Sequence, residues 1–260
     1  MSAVSLVQSG PIGSPQGHEG GAGTRMAATA RWVILAGIAL ALLLTGCTAT
    51  AVGHPAAAPD LGRWQPPPIL PQHLADLLLS ENDVNTIGHT TAMAVRQPVS
   101  RMWHDETVVS NTSCLDIYSP AEATVYQGSN WTAVQGQNLD DTGPRGAQHA
   151  LIQALVGFRD ADSAHQFFSQ SKTRWSDCAN RSLIVTPPGH RPVTFTFGDV
   201  QASEATLTAT QTQLGIDGFT CQRAMGLANN VIVDTLWCGF DTTSQASDIV
   251  AKTTGAISQA

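Results

Sequence analysis

The chain has 260 residues, 13 basic and 20 acidic side chains, and a formal net charge of −7 at neutral pH. So acidic a surface, without a cluster of lysines or arginines, repels phosphate backbones and argues against a nucleic-acid partner. The 42% of hydrophobic residues is enough for a packed core and excludes a wholly disordered chain.

Residues 1–25 carry many glycines and no apolar periodicity, so they read as leader, and Met26 is the expected true start. From Trp32 to Leu44 the chain runs "WVILAGIALALLL", behind Arg25 and Arg31 and ahead of "TGC". A basic start, a short apolar core and small residues at the cut form a secretory signal. The ending "LTGC" adds the form of a bacterial lipobox, which makes Cys47 the lipidated first residue of the mature protein. The competing readings are an uncleaved membrane span and a structural half-cystine. A span needs about 20 apolar residues, and a charge-bounded core of this length suits a signal better. With the arginines inside, everything after Cys47 is expected outside the cytoplasm, on the outer side of the cell membrane.

Residues 47–72 form the expected tether, rich in Pro and Ala and broken by Pro66–Pro68. Proline-rich chain stays extended at about 3.1 Å per residue. Residues 73–260 then fit one domain. Ser80 and Asp83 predict a capping box and a short helix. Alternating residues predict strands in "TAMAVRQ", "WTAVQGQNL" from Trp131 and "HALIQALVGF" from His149. Asp160 predicts the cap of a helix whose buried stripe is Ala164, Phe168, Ser171, Trp175 and Cys178. Further strands are expected in "RSLIVT", "RPVTFTF" and "ATLTATQT", and a last helix in "SQASDIVAKTTGAI". Strands in adjacent runs with helices at the edges predict an α+β fold with a mainly antiparallel sheet.

Setting Cys47 aside leaves Cys114, Cys178, Cys221 and Cys238, an even number that reads as a disulfide framework in an exported protein. Zinc is the competing reading, weakened by the absence of any C-x-x-C pair. If Asn229 and Asn230 form a two-residue hairpin turn, Ala228 pairs with Val231 and counting outward brings Cys221 opposite Cys238. The same register places Arg223 diagonal to Asp234 on the cysteine face. By elimination Cys114 joins Cys178.

The histidines form no H-E-x-x-H, and the chain has no G-x-S-x-G elbow, phosphate loop or G-x-G-x-x-G, so no catalytic residue, metal or cofactor is expected. Asp140 and Asp141 read as turn chemistry in a solvated loop. For binding, Trp131, Gln135 and Gln137 are expected on one face of a strand, and His149 and Gln153 on one face of the next. Aromatic plus amide groups suit a polar ligand in a cleft. A solvent-facing side of a half-buried sheet is the plainer alternative.

The stretches "LLLSENDVNTI", "YQGSNWTAVQGQ", "DADSAHQFFSQSKTRWSDC" and above all "CQRAMGLANNVIVDTLWCGF" resemble the PknH-like extracellular sensor domain family of mycobacteria and their relatives, over residues 74–257. The resemblance implies a two-disulfide α+β domain with a large ligand-binding cleft, found on receptor kinases and on stand-alone lipoproteins. This sequence contains no H-R-D-x-x-x-x-N, D-F-G or glycine-rich nucleotide loop, so it is not expected to phosphorylate anything. The leading expectation is a membrane-anchored sensor-type domain that binds an envelope component or small polar ligand without catalysis, and that needs a membrane partner to transmit a signal. A protein-interaction or envelope-organising module comes second, and a cell-wall hydrolase third.

Overall fold

The computed structural model describes residues 66–142 and 146–259. The expected leader, the signal, Met26, Cys47 and the tether as far as Gln65 lie outside the described residues.

Among the described residues nine strands form one antiparallel sheet: β1 Ala94–Val99, β2 Trp131–Asp140, β3 His149–Phe158, β4 Ser182–Val185, β5 Val193–Phe197, β6 Gln201–Ala202, β7 Thr206–Gln213, β8 Thr220–Ala228 and β9 Val231–Gly239. Their order is β1-β2-β3-β9-β8-β7-β5-β4, with β6 paired beside β7. The α-helices of the described residues are α1 Glu81–Gly88, α2 Leu115–Tyr118, α3 Ala123–Tyr126, α4 Ala161–Cys178 and α5 Gln245–Ile257. The expected α+β class with an antiparallel sheet is what the chain adopts.

Local chemistry sets the helix starts. The Ser80 hydroxyl accepts from the Asp83 N–H while the Asp83 carboxylate accepts from the Ser80 N–H, which closes the capping box of α1. Asp160 accepts from the Ser163 N–H at the start of α4, and all five residues of the expected stripe are buried. The two four-residue helices α2 and α3 carry too short a pattern to show in the sequence.

Both faces of the central strands are covered. On one side Val134, Ala154, Val156, Ile232 and Met225 pack against Phe167, Phe168 and Trp175 of α4. On the other, Leu139, Leu151, Leu155, Val233 and Trp237 pack against Ile249, Val250 and Ile257 of α5 and against Leu74, Leu79 and Val84. Gly226 brings β8 close under α5, where an added Cβ would run into Val250. The sheet is thus sandwiched at its central strands β3, β8 and β9, while β4 and β7 keep the one exposed face of a half-buried sheet.

The hairpin register holds throughout. Ala228 faces Val231 and Cys221 faces Cys238, with Cα atoms 3.9 Å apart in the disulfide. Cys114 is bonded to Cys178, tying α2 to the end of α4. Of the two turn asparagines, only Asn229 takes a positive φ, 50°.

Candidate functional site

The sequence-derived binding residues sit on β2 and β3, and register decides which of them meet. Between Trp131 and Ala133 the β2–β3 ladder shifts, so that Trp131 pairs with Phe158 while Ala133 pairs with Gly157. This bulge breaks the alternation and takes Trp131 off the face shared by Gln135 and Gln137, a correction to the even period read from the sequence. Trp131 is an exposed aromatic at the start of the strand.

Gln137 and Gln153 are directly opposed and do come together. Gln153 is fully buried. Its Oε1 accepts from the Leu79 N–H at 3.3 Å and from Gln137 Nε2 at 3.2 Å, and its Nε2 donates to the Thr253 hydroxyl at 3.3 Å. Gln137 Nε2 also donates to the Leu79 carbonyl at 2.7 Å. The two amides thus button the segment before α1 onto the sheet, and they have little left for a ligand. Gln135 is partly buried and makes no side-chain hydrogen bond among the described residues.

His149 is pinned between two carboxylates, Nδ1 at 2.6 Å from Asp141 and Nε2 at 2.8 Å from Asp241. Burial works against its charged form, but the two aspartates outweigh it and hold its pKa above the ordinary value. Asp141 also accepts from the backbone N–H groups of Gln148 and His149. It is an ordered anchor for His149 and no solvated turn residue. The five residues therefore do not converge on one cleft.

A recess of about 240 Å³ opens elsewhere, between the α3–β2 turn and the first half of α4. Gln127, Ser129 and Asn130 line one wall, and Ser163, Gln166 and Gln170 the other. Positive φ at Gly128, 75°, and Asn130, 63°, folds the turn back towards the helix. Ser163, Gln166 and Gln170 share a helix face by their three- and four-residue spacing. No charged side chain is among the lining residues. Free primary amides donate and accept at once, so the arrangement can bind neutral hydroxyl- or amide-bearing molecules and gives an ion no counter-charge. In the sequence the only signal for this recess was the turn composition of "QGSN".

A larger groove of about 920 Å³ lies where Pro66–Leu70, His73 and Leu77 meet Ile257 at the end of α5. Among the described residues no group of three His, Cys, Asp or Glu could hold a metal ion. No described helix is long and apolar enough to cross a membrane.

Comparison with known proteins decides the kinship. The family model of the PknH-like extracellular domain matches residues 69–256. The chain belongs to the PknH-like extracellular domain family. Its sequence is 33% identical over 256 residues to the serine/threonine-protein kinase PknH of Mycobacterium tuberculosis, strains CDC 1551 and H37Rv, and to that of Mycobacterium bovis. These alignments span 94% of this chain and 40–42% of each kinase, so the chain covers about two fifths of the length of those relatives. The crystal structure of the extracellular domain of PknH from Mycobacterium tuberculosis superposes with a TM-score of 0.71 at 34% identity, over 75% of this chain and 99% of that one. The PknH-like domain thus accounts for the sheet, the helices and the disulfide-bearing hairpin described above.

Proposed function

We propose that this chain is a lipid-anchored, extracytoplasmic sensor-type domain that binds a small neutral envelope component and performs no chemistry on it. The observation that carries this reading is the match to the PknH-like extracellular domain along residues 69–256, together with the likeness to the extracellular domain of the serine/threonine-protein kinase PknH. The "LTGC" ending at Cys47 supports the lipid anchor, and the arginines before it support the outward orientation. The amide-lined recess between Gln127–Asn130 and α4 supports a neutral polar ligand. Transmission of a signal falls to a membrane partner, because a lipid in one leaflet does not span the bilayer.

The test is thermal unfolding of the soluble protein, begun after Cys47, in the presence of envelope glycans, peptidoglycan fragments and lipid headgroups. A ligand at a hundredfold excess over Kd adds about 2.7 kcal/mol, a rise of several degrees for a domain of this size. Gln166→Ala with Gln170→Ala should abolish the rise and leave the unliganded melt near wild type. Conversion of a library member to product would instead identify an enzyme.

A second reading, a protein-interaction or envelope-organising module, draws on Leu214, Ile216 and Phe240, which are exposed near the β7–β8 turn and the end of β9. Stoichiometric retrieval of one envelope protein, lost on Ile216→Ser, would favour it over ligand binding.

A further inference from the structure

Outside the recess, Glu122 and Glu106 each keep one buried carboxylate oxygen without a hydrogen-bond partner among the described residues. Glu122, at the start of α3, is 0% exposed, and its Oε1 has no hydrogen-bond partner. Its Oε2 accepts from the Asp105 N–H at 3.1 Å. The Asp105 N–H contact brings the Asp105 side chain beside the Glu122 carboxyl, on which the Ser119 hydroxyl also acts. Two carboxylates in such contact repel, and an acceptor–acceptor pair gains a hydrogen bond only if one member is protonated.

The surroundings supply no cation. From the turn Asp105–Thr107 come Asp105 itself and Glu106, and the nearest base, His104, is exposed and bonded to Glu106 at 3.3 Å. From α2 comes Tyr118, whose hydroxyl burial, Asp105 and Glu122 push up to about 12. On the sheet beside this segment, Arg223 is committed to Asp234, whose carboxylate accepts from the Ala121 N–H, and to the Asp116 and Ser119 carbonyls, and Arg174 is committed to Asp116. The acidic groups here do not form a metal site. The proton is the one cation that fits a fully buried, unpartnered oxygen.

The pair also sits on a joint between two chain segments. Trp103 N–H donates to the Ala121 carbonyl at 2.9 Å, and Ala123 N–H donates to the Trp103 carbonyl at 2.9 Å. These bonds and the Asp105–Glu122 contact hold the loop before α2 against the segment after it. Between them Ala121 keeps φ at 53°, in the left-handed region that non-glycine residues avoid.

We infer that Glu122 and Asp105 form a proton-binding pair that clamps the Trp103–Val108 loop when it holds one proton and releases it when that proton leaves to solvent. In the clamped form Glu122 Oε1–H donates to the Asp105 carboxylate while Oε2 keeps the Asp105 N–H. Loss of the proton leaves two buried charges face to face and weakens the joint. Burial pushes the Glu122 carboxyl up to about 7 against the Asp105 N–H and the Ser119 hydroxyl, with the Asp105 charge adding to the rise, so the change falls close to neutral pH. A group raised in the folded state stabilises fully below its unfolded value and loses that contribution as pH rises through the folded one, here from about 4.5 to about 7.

The test compares wild type with Glu122→Gln, whose amide reproduces the protonated form, by thermal unfolding of the soluble protein from pH 5 to pH 8. Wild type should fall by about 5 °C relative to the variant across that span. Amide exchange in residues 103–108, corrected for the intrinsic rate, should quicken with pH in wild type only. His149 titrates in both proteins and cancels. Parallel melting curves with equal exchange would overturn the inference. Should Glu122→Gln not fold, Asp105→Asn replaces it and should move the step to lower pH; a step left in place would overturn the pairing. No ligand enters the measurement, so its failure leaves the proposed binding function standing, and the reverse.

Discussion

Arg223 and Asp234 show how much of the fold depends on one pair of residues. Both are buried, with Arg223 Nη2 2.6 Å from Asp234 Oδ1 and the guanidinium over the Trp175 ring at 5.2 Å. Arg223 donates to the carbonyls of Thr235, Asp116 and Ser119, while Asp234 accepts from Ala121 N–H and the Tyr126 hydroxyl. Burial pushes the Asp234 carboxyl above its ordinary value against the pull of Arg223 and Ala121. Removing the cation alone strands a buried charge, so Arg223→Met should cost about 3–5 kcal/mol in urea unfolding. Arg223→Met combined with Asp234→Asn should be more stable than Arg223→Met alone, because the amide still accepts from Ala121 and Tyr126 without a charge. A double variant below the single one would show that the pair contributes something other than charge balance.

At the scale of elements, the hairpin β8–β9 organises its neighbours from both ends. At its turn, Asn229 Nδ2 donates to the Pro67 carbonyl at 2.7 Å. Asn230 accepts from the Ile69 N–H at 2.7 Å and donates to the carbonyls of Ile69 and Phe158. The chain is therefore fastened to the domain from Pro67, ahead of the expected boundary at His73. Asn230→Ala should cost about 1–3 kcal/mol, the range for stranding buried hydrogen-bonding groups, and should speed hydrogen exchange at Ile69 and Leu74 while the disulfide keeps the strands in register. Unchanged exchange there would show that Leu74 packing alone holds the segment. This hairpin was legible because an Asn-Asn turn and two cysteines at equal distance from it fix one register, and the Arg223–Asp234 diagonal followed from the same count. The helix α4 was legible from its cap and stripe. What escaped was the bulge after Trp131, because an extra residue in one strand leaves no trace in hydrophobic alternation. The roles of Gln137 and Gln153 escaped as well: polar residues on a strand look alike whether their partner is a ligand or a chain segment 58–74 residues away.

For the whole molecule, the reading from sequence reached class, sheet direction and disulfide pairing, since each rests on local pattern or on counting. It did not reach the amide-lined recess, which two segments about 35 residues apart form only after folding. The proposed lipid anchor is a matter of the whole chain too. Cys47→Ser should shift the protein from the detergent phase to the aqueous phase or leave unprocessed precursor, because the acyl chains that supply the membrane affinity cannot be attached. Mature size and detergent partitioning that both stay as in wild type would point to a spanning helix.

The fastening at Asn229 and Asn230 has a mechanical consequence. A pull on the chain ahead of Pro66 is delivered to the tip of the β8–β9 hairpin, the innermost pair of the sheet with β3 and β7 on its flanks. At the far end of that hairpin the Cys221–Cys238 bond prevents the two strands from sliding past each other. Tension is thus borne by the central hairpin of the sheet, while the Trp103–Val108 loop and the α3–β2 turn stay off the load path.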